Sequence, residues 1–295
     1  MPLTESLLSP CKFDYTGAAG FRVSRRPNRS ECGPKSPGWP GYFRIVRLEI
    51  LLKLTQLCLG LLLVAPVASS QADVCEVSAT KALFSIPRVK GTPELDTDPK
   101  SATWKHAASA WIEKDCTSRK GYPDLKTEVR AFWTDTDLYL LFISPYHELN
   151  LWLPADNSKD RLKLWDRDVV EFFLGDDWSD IRHYREFEIA PTGDWVDLAI
   201  DINKNKYDAD WNSGWQRQGR IDESRHIWYA AARVPLKSVS DHPVKAGTKW
   251  RANLYRIDGL GEDPQRHFLC WQQTCTPNHD PNHVPENFGT IVFGR

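Results

Sequence analysis

The sequence predicts an all-β fold: one antiparallel β-sandwich, jelly-roll-like, following a secretory leader. Three observations predict it. Short runs that alternate apolar and polar side chains recur from Thr127 to Phe293. Turn-forming clusters such as Asp135-Thr136-Asp137 and Pro191-Thr192-Gly193-Asp194 separate them. No long stretch carries apolar residues at the helical period, so helices are not expected to cover the sheets. About ten strands follow from this reading.

Residues 1–72 are set apart. Arg44, Arg47 and Lys53 form a basic region, Leu54 to Val67 is short and mostly apolar, and Ser70-Gln71-Ala72 is a small-x-small cleavage site. That pattern is a secretory signal peptide, too short for a transmembrane helix, with cleavage expected after Ala72. Asp73 and Val74 before Cys75 make a poor lipoprotein box, so a soluble exported protein, periplasmic or extracellular, is expected. Residues 1–43 are rich in Arg, Pro, Gly and Ser, and Met1 is the only methionine. This stretch is expected to lie upstream of a true start near Val46 or Leu48, as an artefact of the gene model.

The leader holds nine of the 38 basic and four of the 39 acidic residues, leaving 29 against 35 and a net charge of −6 on residues 73–295. An acidic domain argues against nucleic acid and against an anionic membrane surface as partners. Its length suffices for one substantial core. Cys11, Cys32 and Cys58 fall in the leader, and Cys75, Cys116, Cys270 and Cys275 remain. An even count in an exported chain reads as two disulfides, most simply Cys75–Cys116 and Cys270–Cys275. Chain entropy would give the long loop roughly 4 kcal/mol and the short one about 2. Only one close pair is present, so a four-cysteine zinc site is set aside.

The predicted strands are, in order, Thr127–Trp133, Leu138–Ser144, Val169–Leu174, Tyr184–Ala190, Trp195–Ile200, His226–Val234, Trp250–Ile257, His267–Trp271 and Thr290–Phe293. Ser101 to Ile112 could start with a short helical turn. No second domain, internal repeat or low-complexity run follows residue 73. Twelve of the thirteen tryptophans lie in this part, more than a sandwich of this size needs inside.

The alternation also sorts polar residues by face. Val170, Phe172 and Leu174 face one way; Val169, Glu171 and Phe173 face the other. Glu is depleted in strands and costly to bury unpaired, so Glu171 six residues after the loop residue Trp165 is a candidate binding pair. A ring and a carboxylate suit the CH face and the hydroxyls of a sugar. Taken alone, the segment favours the structural reading, with Trp165 capping the core and Glu171 paired to a cation. Glu186 and Glu188 share a face with Tyr184; Arg251, Asn253 and Tyr255 share a face opposite Trp250, Ala252 and Leu254. On one sheet these groups would converge on one polar surface, either a binding site or a solvated face with cross-strand ion pairs. Trp271 and Gln272 lie between Cys270 and Cys275, where a disulfide loop would present them rigidly or where Trp271 would plug the sandwich end.

Four segments carry a family resemblance: Leu164-Trp165 through Asp168-Val169-Val170-Glu171-Phe172-Phe173, Phe187-Glu188-Ile189-Ala190-Pro191-Thr192-Gly193, Trp250-Arg251-Ala252-Asn253-Leu254-Tyr255-Arg256, and Trp271 followed by His283-Val284-Pro285-Glu286-Asn287-Phe288-Gly289-Thr290-Ile291. In this order the chain from about residue 80 to 293 resembles the family 9 carbohydrate-binding modules and their stand-alone bacterial relatives. The resemblance implies an antiparallel β-sandwich, with bound calcium in some members. It implies a sugar, often a reducing end, held between two tryptophans, here Trp165 and Trp271, with Glu171 as the carboxylate. Arg251, Asn253 and Glu188 complete the expected floor. Glu188 stands where the better-studied modules carry a basic residue. Such modules are usually joined to glycoside hydrolases such as xylanases, so a partner hydrolase and a role in polysaccharide catabolism are expected. No catalytic domain is visible in this sequence.

Three rival readings follow from particular residues. Glu171, Glu186 and Glu188 could supply the paired acids of a glycoside hydrolase. Related sandwiches hold b-type haem, commonly through Met, which residues 73–295 lack. His279 and His283 have a ligand spacing, but Pro281 makes the segment a loop. No cofactor is otherwise expected. The acidic loops Asp176-Asp177, Asp208–Asp210 and Glu262-Asp263 are candidates for structural calcium.

Overall fold

The computed structural model describes residues 75–261, 263, 265–276 and 280–295. The leader, its cleavage site and its three cysteines lie outside the described residues, as do Glu262 and His279. Fourteen strands follow in chain order: β1 (Leu83–Ile86), β2 (Ala108–Ile112), β3 (Lys114–Asp115), β4 (Thr127–Trp133), β5 (Asp137–Pro145), β6 (Val169–Gly175), β7 (His183–Ile189), β8 (Trp195–Asp201), β9 (Lys206–Asp208), β10 (Gln216–Asp222), β11 (Ile227–Pro235), β12 (Lys249–Asp258), β13 (His267–Cys270) and β14 (Gly289–Phe293). A single α-helical turn, Leu236–Val239, appears among the described residues.

The strands form two sheets, as an all-β sandwich requires. The larger runs β1-β14-β12-β6-β7-β8-β9, with β13 and β3 extending from β12; the smaller runs β10-β11-β5-β4-β2. Every pair is antiparallel except β1 with β14. Period-two alternation then builds the core. Phe172, Leu174, Phe187, Ile189, Trp250 and Leu254 of the larger sheet meet Val129, Leu138, Leu140, Phe142, Trp228 and Val234 of the smaller. Phe172 stacks on Phe187 at 4.8 Å and on Phe142 across the sandwich at 6.1 Å. Burying each such ring contributes about 1.5–3 kcal/mol.

The two outer faces differ. On the smaller sheet Phe132, Tyr139, Leu141 and Tyr229 are covered by Leu95 and Trp104 from the segment before β2. Hydrogen bonds from Trp104 Nε1 to Asp96 O and from Tyr139 Oη to Pro93 O, both 2.9 Å, hold that cover. On the larger sheet, residues of the segments before β6 and after β13 pack on part of the outer face.

Two expectations change here. Five strands lie beyond the nine predicted runs: β2, and four that are short or polar, namely β1, β3, β9 and the edge strand β10, whose Gln216-Arg217-Gln218-Gly219-Arg220 shows no apolar alternation. Ser101 to Ile112 does open with a helical turn, Ala102–Trp104, but continues as strand β2. The disulfides are Cys75–Cys275 and Cys116–Cys270, with Cα atoms 5.2 and 5.3 Å apart, and not the sequential pairing. Sheet register is the reason. β3 pairs β13 so that Lys114 lies opposite Cys270, and Cys116 N donates to Phe268 O at 2.8 Å. Cys275 N donates to Cys116 O at 2.7 Å and Cys75 N to Thr117 O at 3.2 Å, which brings the second pair together. Each link closes a loop of more than 150 residues, worth about 5 kcal/mol alone in the chain-entropy model.

Candidate functional site

Three glutamates sit side by side on the outer face of the larger sheet. Glu171 on β6 lies directly opposite Glu188 on β7, and Glu186, two residues earlier, shares their face. Like charges placed opposite one another destabilise a strand pair, so this arrangement costs stability. All three side chains are buried, and no protein N–H or hydroxyl donates to Glu171 Oε1, Glu186 Oε2 or either carboxylate oxygen of Glu188, although a protonated Glu188 can donate to Glu186. They floor a cavity of about 1010 Å³.

The walls come from four further segments. The turn Leu164–Asp166 places Trp165 at the rim, 36% exposed. The buried Arg266 holds that turn: Nη1 donates to Trp165 O at 2.9 Å and Nη2 to Arg167 O at 2.6 Å. Asp168 fixes its other end by accepting from Asn150 N at 3.1 Å and Gly259 N at 3.0 Å. Burial, then the nearby Asp258 charge, pushes the Asp168 carboxyl up to about 7. Phe268 on β13 and Tyr207 on β9 line the cavity from strands on either side of the glutamates.

Asn282 and His283 close the deep end. Asn282 Nδ2 donates to Glu171 Oε2 at 2.7 Å, while its backbone oxygen accepts from Tyr255 Oη at 2.8 Å. His283 Nδ1 is 2.7 Å from Tyr184 Oη, and its Nε2 lies 3.7 Å from Glu186 Oε2. Burial raises the pKa of all three glutamates, well above the usual range for Glu171 and Glu188. Mutual repulsion adds to it: Glu186 and Asp280 act on Glu171, and Glu171 and Glu186 act on Glu188. Raised in this way, the cluster keeps protons to higher pH than free glutamates do, and a protonated carboxyl can both donate and accept hydrogen bonds.

The residues singled out from the sequence divide in two. Trp165, Glu171 and Glu188 come together at the cavity. Trp271, Arg251 and Asn253 do not line it. Trp271 turns to the other side of the sheet, packing against the inner core with its ring 6.1 Å from Phe84. Its Cζ3 lies 2.6 Å from where a Cβ on Gly289 would stand, so only glycine admits the ring. No Cys270–Cys275 loop presents it, since the cysteines pair elsewhere. Arg251 is consumed by the β6–β7 connection, donating to Asp177 O at 3.0 Å and Ile181 O at 2.9 Å. Asn253 exchanges two hydrogen bonds with the Gln272 backbone, at 2.8 and 3.0 Å.

Alternation had placed Glu186 on the right face, yet nothing local marked it off from a solvated residue. Asn282, His283, Arg266, Tyr207 and Phe268 reach the cavity through tertiary packing. In the candidate calcium loops Asp177 accepts from Ser179 N at 2.7 Å, Asp208 pairs Lys206 at 2.7 Å and Asp263 lies 3.4 Å from Arg266. Among the described residues no three His, Cys, Asp or Glu side chains converge closely enough to hold a metal ion.

No protein-family profile matches the chain, and no curated protein does. Solved structures do. A crystal structure of a candidate carbohydrate-binding protein from Bacteroides uniformis is similar at 19% identity and a TM-score of 0.57, over 72% of this chain and 100% of that one. A family 9 carbohydrate-binding module from Caldicellulosiruptor kristjanssonii, in complex with cellotriose, matches at 16% identity and a TM-score of 0.49, over 72% of this chain and 95% of that one. The same module with glucose gives 16%, 0.48, 72% and 96%. At its level of identity the Bacteroides likeness is one of fold: this chain shares its β-sandwich over the full length of that protein.

Proposed function

We propose that this protein binds carbohydrate in the outer-face cavity, as an exported module of the family 9 kind acting in polysaccharide catabolism with a partner glycoside hydrolase. One observation carries the reading. Unpartnered carboxylate oxygens of three adjacent buried glutamates floor a cavity rimmed by a half-exposed tryptophan. Buried polar atoms without partners are rare and costly, so a ligand that supplies the missing partners accounts for them. Sugar hydroxyls do so, and Trp165 offers a face for the pyranose ring. The sequence resemblance and the shared fold of the Bacteroides protein support the same reading. Two disulfides fit an oxidising compartment, and Cys75, being bonded to Cys275, has no thiol free for a lipid. Among the described residues no helix is long and apolar enough to cross a membrane.

A glycan array on residues 73–295, with Trp165→Ala alongside, tests the proposal. Retained binding to a defined glycan that the variant loses is the expected result; no glycan bound by either protein removes the reading.

A second reading rests on Glu171 and Glu188. A carboxyl with a raised pKa beside a second acid is the equipment of a retaining glycosidase, whose acids stand about 5–5.5 Å apart. Release of reducing sugar from a xylan and glucan panel, abolished by Glu171→Gln, would replace binding with hydrolysis.

A further inference from the structure

The charge around the cavity is lopsided. Seven carboxylates line it against Lys163, Arg266 and the imidazole of His283. Arg266 is already committed to the backbone oxygens of Trp165 and Arg167, and Lys163 stands exposed at the rim. The unpartnered atoms at the base are acceptors: Glu171 Oε1, Glu186 Oε2, both oxygens of Glu188, and Asn282 Oδ1. A neutral sugar offers one O–H donor per hydroxyl and no charge. An ammonium offers three N–H donors and a positive charge that favours the ionised form of the cluster. An acidic sugar would meet repulsion from the aspartates that also line the cavity, Asp115, Asp166, Asp263 and Asp280.

We propose that the sugar held here is an amino sugar with a free amine, its ammonium seated among Glu171, Glu186 and Glu188 while its ring lies against Trp165. The proposal rests on the carbohydrate reading above and names the class of sugar. A metal ion is the other cation to consider, but the glutamates do not converge as ligands. Hydrogen bonds from an ammonium tolerate that wider spacing, and the aromatic wall suits a ring-bearing cation.

The protonation of the floor supports the assignment and supplies a second readout. Burial raises the pKa of all three glutamates, and repulsion from neighbouring glutamates adds to it for Glu171 and Glu188. An ammonium in their midst would draw them toward ionisation, so binding would expel protons to solvent. The other titratable groups that face the cluster are Asp280, Arg266, His283, Tyr184, Tyr207 and Tyr255.

The test is calorimetric titration of the protein from residue 73 to 295 with glucosamine, N-acetylglucosamine, cello- and galacturonate oligosaccharides, and spermidine, each in two buffers of different ionisation enthalpy. The expected result is glucosamine oligomers binding at least about tenfold tighter than their acetylated and neutral counterparts, with net proton release. Glu188→Gln should then shrink that ratio; Glu171→Gln serves if the first variant does not fold. Equal or tighter binding of the neutral or acetylated oligomers would overturn the amine assignment while leaving carbohydrate binding in place. So would preference for the uronide, or spermidine matching glucosamine. Failure of every sugar to bind would instead remove the carbohydrate reading and this proposal with it.

Discussion

Strands β6 and β7 show two environments on one ribbon of backbone. Phe172 and Phe187 point inward and stack at 4.8 Å; Glu171 and Glu188, one residue away on each strand, point outward and oppose one another. Both faces are buried. On the inner face the side chains of these two strands, Val170, Phe172, Leu174, Phe187 and Ile189, are apolar and pack into the core that the second sheet completes. On the outer face four carboxylate oxygens accept from no protein N–H or hydroxyl. Burial alone therefore does not distinguish core from site; the match between buried groups and their neighbours does.

The largest effect is expected on the inner face. Phe172→Ala removes a ring packed against Phe187, Phe142 and Trp215, and should cost about 3–5 kcal/mol. Urea unfolding measures it. Sugar affinity of the folded fraction should stay unchanged, since the side chain lies across the sheet from the cavity. An affinity loss matching the stability loss would mean the two faces are coupled.

Next comes the covalent support of the cavity wall. Cys116→Ser with Cys270→Ser should cost about 2–5 kcal/mol by the same measurement. Peptide mapping of the oxidised protein should recover Cys75–Cys275 and Cys116–Cys270. A Cys270–Cys275 peptide would contradict the β3–β13 register that brings these sulfurs together.

These cysteines mark where sequence reading stops. Alternation placed nine strands within a residue or two and put Glu171, Glu186 and Glu188 on one face, because a strand's period is a local property. The strand order is not local. Cys116 meets Cys270, 154 positions away, and Trp271 turns into the core over Gly289 to meet Phe84 from the first strand. Arg251 and Asn253 were assigned their face correctly, but each satisfies a nearby backbone segment that alternation does not reveal. Asn282 and His283 read as an ordinary polar loop until the fold lays them over Glu171 and Glu186.

Two tryptophans sharpen the contrast at smaller scale. Trp165→Ala should weaken sugar binding by about 1–3 kcal/mol and leave the unfolding midpoint nearly unchanged. Trp271→Ala should do the reverse, since its ring fills the space above Gly289 beside Phe84. Equal loss of affinity in both would restore a clamp made of two tryptophans and contradict the placement of Trp271 on the core side.

The gentlest probe is pH. The folded-state pKa values of Glu171, Glu186 and Glu188 are raised, by burial first, so between the unfolded value of 4.5 and the folded one the native protein binds more protons than the unfolded chain. Stability then falls as pH rises through that window, because ionising these groups in place is what folding opposes. Asp168 acts in the same direction between 3.8 and about 7. Urea midpoints measured from pH 5 to pH 8 should therefore decline. Glu188→Gln keeps the shape of the side chain and cannot ionise, so its decline should be shallower than that of the wild type. An identical slope in the two proteins would mean that Glu188 titrates alike folded and unfolded. The outer face would then be solvated like an ordinary surface, and its contrast with the inner face would be lost.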